Sequence, residues 1–170
     1  MDERIWYDRP LEVGATLACH DCVIARIAVP HVSLVSGSLG TAIEALCPGA
    51  PVLTLAESPA SGDYMIRIAR DHAVLVSRAA PARAPGWQAE GFAFSVADDK
   101  FAALSLRGPG AEAVLSHALG FALPKGSASC ALRVARRMAL VTGLPDGLTL
   151  WVERADLTYI SRFFSDLQHA

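Results

Sequence analysis

The sequence predicts an α+β protein built from two related half-domains, with antiparallel sheets and helices on one face of each, dividing into residues 1–80 and 81–170. Three observations predict it. A strand–helix unit occurs twice, an Arg-bounded pair of strands follows each copy, and a Pro-rich link lies between them.

In the first unit, Val32 and Leu34 alternate with Ser33 as in a half-buried strand. From Ser38 to Leu46, the side chains of Leu39, Ala42, Ile43 and Leu46 share one helical face. Ser38 is placed to accept from an open first-turn amide, and Cys47-Pro48-Gly49 ends the helix. The second unit repeats the design. Phe101 to Leu106 reads as a strand, Gly108-Pro109-Gly110 as a turn, and Ala111, Val114, Leu115 and Ala118 as a helical face stopped by Gly120. Gly37 and Gly49 stand twelve positions apart, as do Gly108 and Gly120.

A second echo matches Arg67–Leu75 with Arg133–Val141 at four identities and three apolar exchanges. Each reads as two strands meeting at a tight turn, or one kinked strand, about a polar pair, Arg70-Asp71 or Arg136-Arg137. Residues 79–86 carry two prolines and a glycine and suit a boundary between halves. A C-terminal helix follows Asp156, whose carboxylate suits the positive helix end. Its apolar stripe is Leu157, Ile160, Phe164 and Leu167, widened by Tyr159 and Phe163, and it either packs on the second sheet or meets a neighbour.

Composition narrows the function. Hydrophobic residues make up 52% and charged residues 19%, and mean hydropathy is +0.34. Either the core is unusually large or another chain covers apolar surface; the small size favours the second. Net charge is −2 with no basic run, so nucleic acid is not an expected partner. Residues 1–4 lack the order of a signal peptide, and Arg26, Pro30 and His31 interrupt the longest apolar stretch. The expectation is a cytoplasmic protein with reduced thiols and no membrane partner.

The order of elements resembles the gamma subunit of heterotetrameric sarcosine oxidase and its relatives in N-methylglutamate dehydrogenase. Both share the wider aminomethyltransferase (glycine-cleavage T-protein) fold. The residues that carry the resemblance are the strand into Gly37, the paired strands Tyr64–Val76, and Leu104–Leu115 with its Gly-Pro-Gly-Ala turn. Cys130, the run Met138–Val141 and the closing Leu148–Val152 before an aromatic helix add to it. The likeness runs from about Val23 to Leu167. It departs at Asp98-Asp99-Lys100, where the superfamily often has Ser-His, and at Asp71-His72. The resemblance implies two ferredoxin-like half-domains related by internal duplication, as in the N-terminal part of aminomethyltransferases. It also implies a chain that packs against larger subunits, on which the flavin, NAD and tetrahydrofolate chemistry lies.

The residues themselves assemble into no catalytic, cofactor-binding or metal set. Cys19-His20-Asp21-Cys22 could place two thiolates on a tetrahedral metal with His20 as third ligand, but a closed site needs a second pair. The plainer reading is two small buried cysteines. Gly108-Pro109-Gly110 could offer helix amides to an anion, or simply turn the chain. His31, His72, His117 and His169 are scattered. Asp98 and Asp99 could be a carboxylate pair, and read more naturally as a hairpin turn. Arg133, Arg136 and Arg137 could hold carboxylates of a partner or of a folate tail, against the plainer reading of a solvated strand end.

The expectation is therefore a non-catalytic, structural subunit of an oxidoreductase complex acting on an N-methyl amino acid such as sarcosine. The alternatives are a stand-alone folate-binding protein of aminomethyltransferase type, and a homodimer joined by the C-terminal helix.

Overall fold

The structure, a computed structural model, describes residues 10–59 and 62–167. Its first elements are β1 (Thr16–Cys19), β2 (Cys22–Ile27), β3 (His31–Gly37), α1 (Leu39–Leu46), β4 (Val52–Leu53), β5 (Tyr64–Arg67) and β6 (His72–Ser77). Then come β7 (Gly86–Gln88), β8 (Phe92–Val96), β9 (Phe101–Arg107), α2 (Ala111–Leu119), β10 (Ala131–Val134), β11 (Arg137–Leu144) and β12 (Gly147–Glu153). A tight turn at Arg154–Asp156 leads into α3 (Leu157–Leu167). No described helix is long and apolar enough to cross a membrane.

The strands form two six-stranded sheets, ordered β1-β2-β9-β12-β11-β10 and β4-β5-β6-β3-β8-β7. Only β4 and β5 run parallel. This is the mixed α+β, antiparallel-rich architecture predicted from the sequence, and it is compatible with a duplicated ferredoxin-like fold. Helix α1 covers one face of the β3 sheet through Leu39, Ala42 and Ile43, packed on Val35, Met65, Leu75, Phe92 and Phe94. Helices α2 and α3 cover one face of the β9 sheet, on Ile24, Leu104, Leu106, Val141, Leu150 and Val152. The remaining faces meet in a third core of Val32, Ile66, Val74, Val76, Phe101, Ala103, Leu140 and Trp151. There the Trp151 Nε1–H donates to Thr142 Oγ1 at 3.3 Å. Strands buried on both faces read as near-continuous apolar runs, and Leu148–Val152, interrupted only by Thr149, is one.

The duplication is visible in the topology. Strands β3 and β9 hold matching places, each flanked by the closing strand of its unit and by a hairpin, and each feeds a helix. The hairpins are exchanged. β1–β2 precedes β3 in the chain yet pairs with β9, and β7–β8 precedes β9 yet pairs with β3. The expected division at residue 80 therefore does not coincide with the sheets, because each sheet takes strands from both sides of it. The link 79–86 runs within the β3 sheet, from β6 to β7.

At each strand-to-helix junction the exchanged turn presses on a glycine. Gly37 has φ +100, and a Cβ there would lie 2.6 Å from the Gly91 carbonyl oxygen. Gly108 has φ +109, and its Cβ would lie 2.5 Å from that of Asp21. The Ser38 N–H donates to Gly91 O, and the Gly110 N–H to Asp21 O, both at 3.0 Å. Pro109 stands where Ser38 does but has no N–H, so the second unit makes the bond one residue later. The glycine amides complete the match, Gly37 N–H to Asp71 O at 2.9 Å and Gly108 N–H to Asp146 O at 3.3 Å.

That correspondence equates the turn at Asp71 with the turn at Asp146, so β5–β6 matches β11–β12. The second sequence echo instead aligned β5–β6 with β10–β11, which holds a different place in its sheet. Those two stretches are alike because each is a short hairpin. Ser38 begins α1, but its hydroxyl bonds Thr41 Oγ1 at 2.7 Å and caps no amide. The stripe on α3 is spent inside the chain, with Leu157, Ile160, Phe164 and Leu167 all buried, and Asp156 pairs with Arg137 at 3.4 Å.

Straps join the sheets at their other edges. Cys130 N–H donates to Arg67 O at 2.8 Å, and the Ser129 hydroxyl to Ile68 O at 2.6 Å. Residues 54–58 cross the other way, with Gly143 N–H donating to Glu57 O at 2.8 Å. A side chain at Gly143 would collide with the Ala56 carbonyl.

Asp98 does not turn a hairpin, since β8 and β9 lie in different sheets and residues 97–100 are the crossover between them. Its Oδ1 accepts from the Val32 N–H at 2.7 Å, and its Oδ2 lies 3.2 Å from His31 Nδ1. The Val32 amide, with the His31 ring beside it, holds this carboxyl below the usual carboxylate range.

Two predictions follow from this geometry. Gly108→Ala meets both a left-handed φ and a fixed carbonyl, so urea denaturation should show a loss of about 3 kcal/mol. Gly120→Ala, at φ +79 with open space around it, should lose only about 1 kcal/mol; equal losses would refute the close-approach argument. Asp98→Ala should lose about 1 kcal/mol at neutral pH, because the side chain is 44% exposed. A depressed carboxyl stabilises above its unfolded pKa of about 3.9, so the gap between wild type and variant should close as pH falls below about 4. A gap that is independent of pH would contradict the role given to the carboxylate.

Candidate functional site

One concavity lies on the β3 sheet and follows from the pleat. Register places Leu34 opposite Val74 and Ser95, Ser36 opposite His72 and Ala93, and Ala93 opposite Trp87. These side chains share the face that, further along, carries Val32, Val74 and Val76 into the core between the sheets. Where the β9 sheet no longer covers it, that face opens into a groove of about 430 Å³ lined by Leu34, Ile68, Trp87, Ala93, Phe94 and His72. Trp87 on the edge strand is 72% exposed. At the groove end His72 Nδ1 lies 2.8 Å from Asp71 Oδ1, and hydrogen bonding to that ring lowers the Asp71 pKa. The chemistry offered is apolar contact, an aromatic face and one imidazole–carboxylate pair. The sequence holds one signal for it, the large aromatic Trp87 directly after the boundary segment 79–86.

The Cys19-His20-Asp21-Cys22 motif is the β1–β2 turn. Cys19 and Cys22 face each other across it, and both are buried free thiols. Burial pushes the Cys22 thiol up to about 11, helped by the neighbouring Cys19, whose own pKa burial also raises. Thiols held protonated are poor nucleophiles and poor metal ligands. Among the described residues no group of three or more His, Cys, Asp or Glu comes together as a metal would need.

The Gly108-Pro109-Gly110 turn has spent its amides. Gly108 N–H goes to Asp146 O, Gly110 N–H to Asp21 O, and proline has none to give. Of the histidines, His31 and His72 each pair with an aspartate, a partnership that one-dimensional spacing hid. His169 lies outside the described residues.

The arginines separate. Arg137 lies over the Tyr159 ring, 5.1 Å from its centroid, and is tied to Asp156. Arg133 and Arg136 line a second concavity of about 390 Å³ with His117, Tyr159, Phe163 and the C-terminal end of α2.

No protein-family model and no curated protein matches the chain. Among solved structures it is similar to a chain of heterotetrameric sarcosine oxidase from Corynebacterium sp. U-96, determined in complex with pyrrole 2-carboxylate. The two superpose with a TM-score of 0.63 over 91% of this chain and 90% of that one, at 15% sequence identity. The relationship is distant and structural: the two chains share a fold over nearly their whole lengths.

Proposed function

We propose that this chain is a gamma-like, non-catalytic subunit of a heterotetrameric sarcosine oxidase or a related complex that oxidises N-methyl amino acids, with a role in structure or assembly. One observation carries the reading. The likeness covers nearly all of both chains, so this protein matches a whole small chain of such an assembly and not one domain of a large enzyme. Among the described side chains, the cysteines are buried free thiols, and His31 and His72 each pair with an aspartate. On this reading flavin, NAD and tetrahydrofolate are bound by the larger subunits, and exposed apolar side chains such as Trp87, Val96 and Met138 meet them.

A homodimer joined by α3 is disfavoured, because the stripe it would use already lies in the core. The folate-binding reading draws on a specific feature, the groove beside Trp87.

Co-expression with the large flavoprotein subunits encoded beside it should give a stoichiometric complex by size exclusion with light scattering, whereas the chain alone should self-associate. A monodisperse monomer with no affinity for those subunits would refute the proposal. Titrating tetrahydrofolate against the isolated chain should leave tryptophan fluorescence unchanged. A saturable quench that disappears in Trp87→Phe would instead establish the folate-binding alternative.

A further inference from the structure

The turn between β10 and β11 consists of two residues, Ala135 and Arg136, since Val134 pairs with Arg137. Both are left-handed, at φ +46 and +68, a conformation that suits Asn-Gly and that a Cβ disfavours. Ala135 is held there. It is 5% exposed, and its N–H donates to Ala118 O at 2.8 Å. The side chains of Arg133 and Arg136 make no ion pair or hydrogen bond with any described residue.

These two arginines line the second concavity with His117, and Tyr159 and Phe163 form its aromatic wall. Arginines near a helix end usually serve the last carbonyls. Here three of those carbonyls are occupied: Gly120 N–H donates to Ser116 O and His117 O, and Ala135 N–H to Ala118 O. The helix end carries about half a negative charge, which two guanidinium groups outweigh. Arg137, on the Tyr159 ring, is already neutralised by Asp156. What remains is a cavity of small-ligand size with two uncommitted forked donors and aromatic rings beside them. Forks bind carboxylates in two-point fashion, and ring faces take a planar body.

We propose that this cavity binds a small organic anion that presents carboxylates to Arg133 and Arg136 and a planar body to Tyr159 and Phe163. The site is independent of the assembly role, lies apart from the Trp87 groove, and gives the strained Arg136 conformation a use.

The test is calorimetric titration of the full chain, in whatever assembly it purifies, with trimesate, citrate and inorganic phosphate at low ionic strength. Trimesate should bind saturably and most tightly, phosphate least, and added salt should weaken all three. Arg133→Gln and Arg136→Gly should each weaken trimesate by about tenfold or more. Glycine accepts the left-handed turn, so Arg136→Gly should fold with an unchanged or higher Tm. Arg83→Gln, which removes a surface arginine paired with Glu90, should bind as wild type does. Absence of saturable trimesate binding, equal affinity in folded Arg136→Gly, or phosphate binding more tightly than trimesate would each overturn the proposal.

Discussion

The constraint on which the rest of the structure depends is the contact between each exchanged hairpin turn and the glycine at the end of the opposite unit's central strand. At Gly37 and Gly108 the backbone of one unit lies where a side chain of the other would stand. The same contact supplies the hydrogen bonds from Ser38 and Gly110 that set the start of each helix. Register, helix entry and the joining of the halves therefore all hang on two residues without side chains.

The exchange makes the halves interdependent. β9 cannot finish its sheet without β2, nor β3 without β8, and these pairings span long stretches of chain. Such a topology forms its decisive contacts late, after much loop entropy has been lost. It also explains the Trp87 groove. The sheets share one core between them, and Leu34 still packs at its margin, but β8 and the edge strand β7 extend beyond it, where Ala93 and Trp87 line the groove.

What was legible in the sequence was local. The periods of Val32–Leu34 and Leu39–Leu46, and of Phe101–Leu106 and Ala111–Ala118, are fixed by neighbours within a few residues, and each element formed where the spacing placed it. Partner choice was not legible. Nothing in Cys22–Ile27 says that it pairs with Phe101–Arg107 in place of the strand that follows it. Asp98 looked like a hairpin turn because polar residues between two apolar runs look the same whether the chain folds back or crosses to another sheet. The Arg67 and Arg133 echo misled for a related reason, since a short hairpin leaves the same pattern wherever it sits. At Ala135-Arg136 the sequence pointed away from the observed turn. Neither residue favours a left-handed backbone, and only the buried bond to Ala118 O shows what holds the first of them.

The high mean hydropathy needs a different explanation from the one composition favoured. A protein with one core has room for a limited share of apolar residues, so an excess argues for a partner. This chain has three cores in a helix–sheet–sheet–helix stack, and its central strands are buried on both faces, Phe101–Leu106 throughout. Such strands carry apolar side chains at most positions and not only at every second one, Ser105 being the exception in this one. The excess is thus largely internal, and hydropathy alone gives no reason to place a second chain against this one. The case for an assembly rests on the whole-length likeness and on where the remaining exposed apolar residues stand. Trp87, with the groove beside it, marks a place where the internal stack ends and a large aromatic side chain is left facing water.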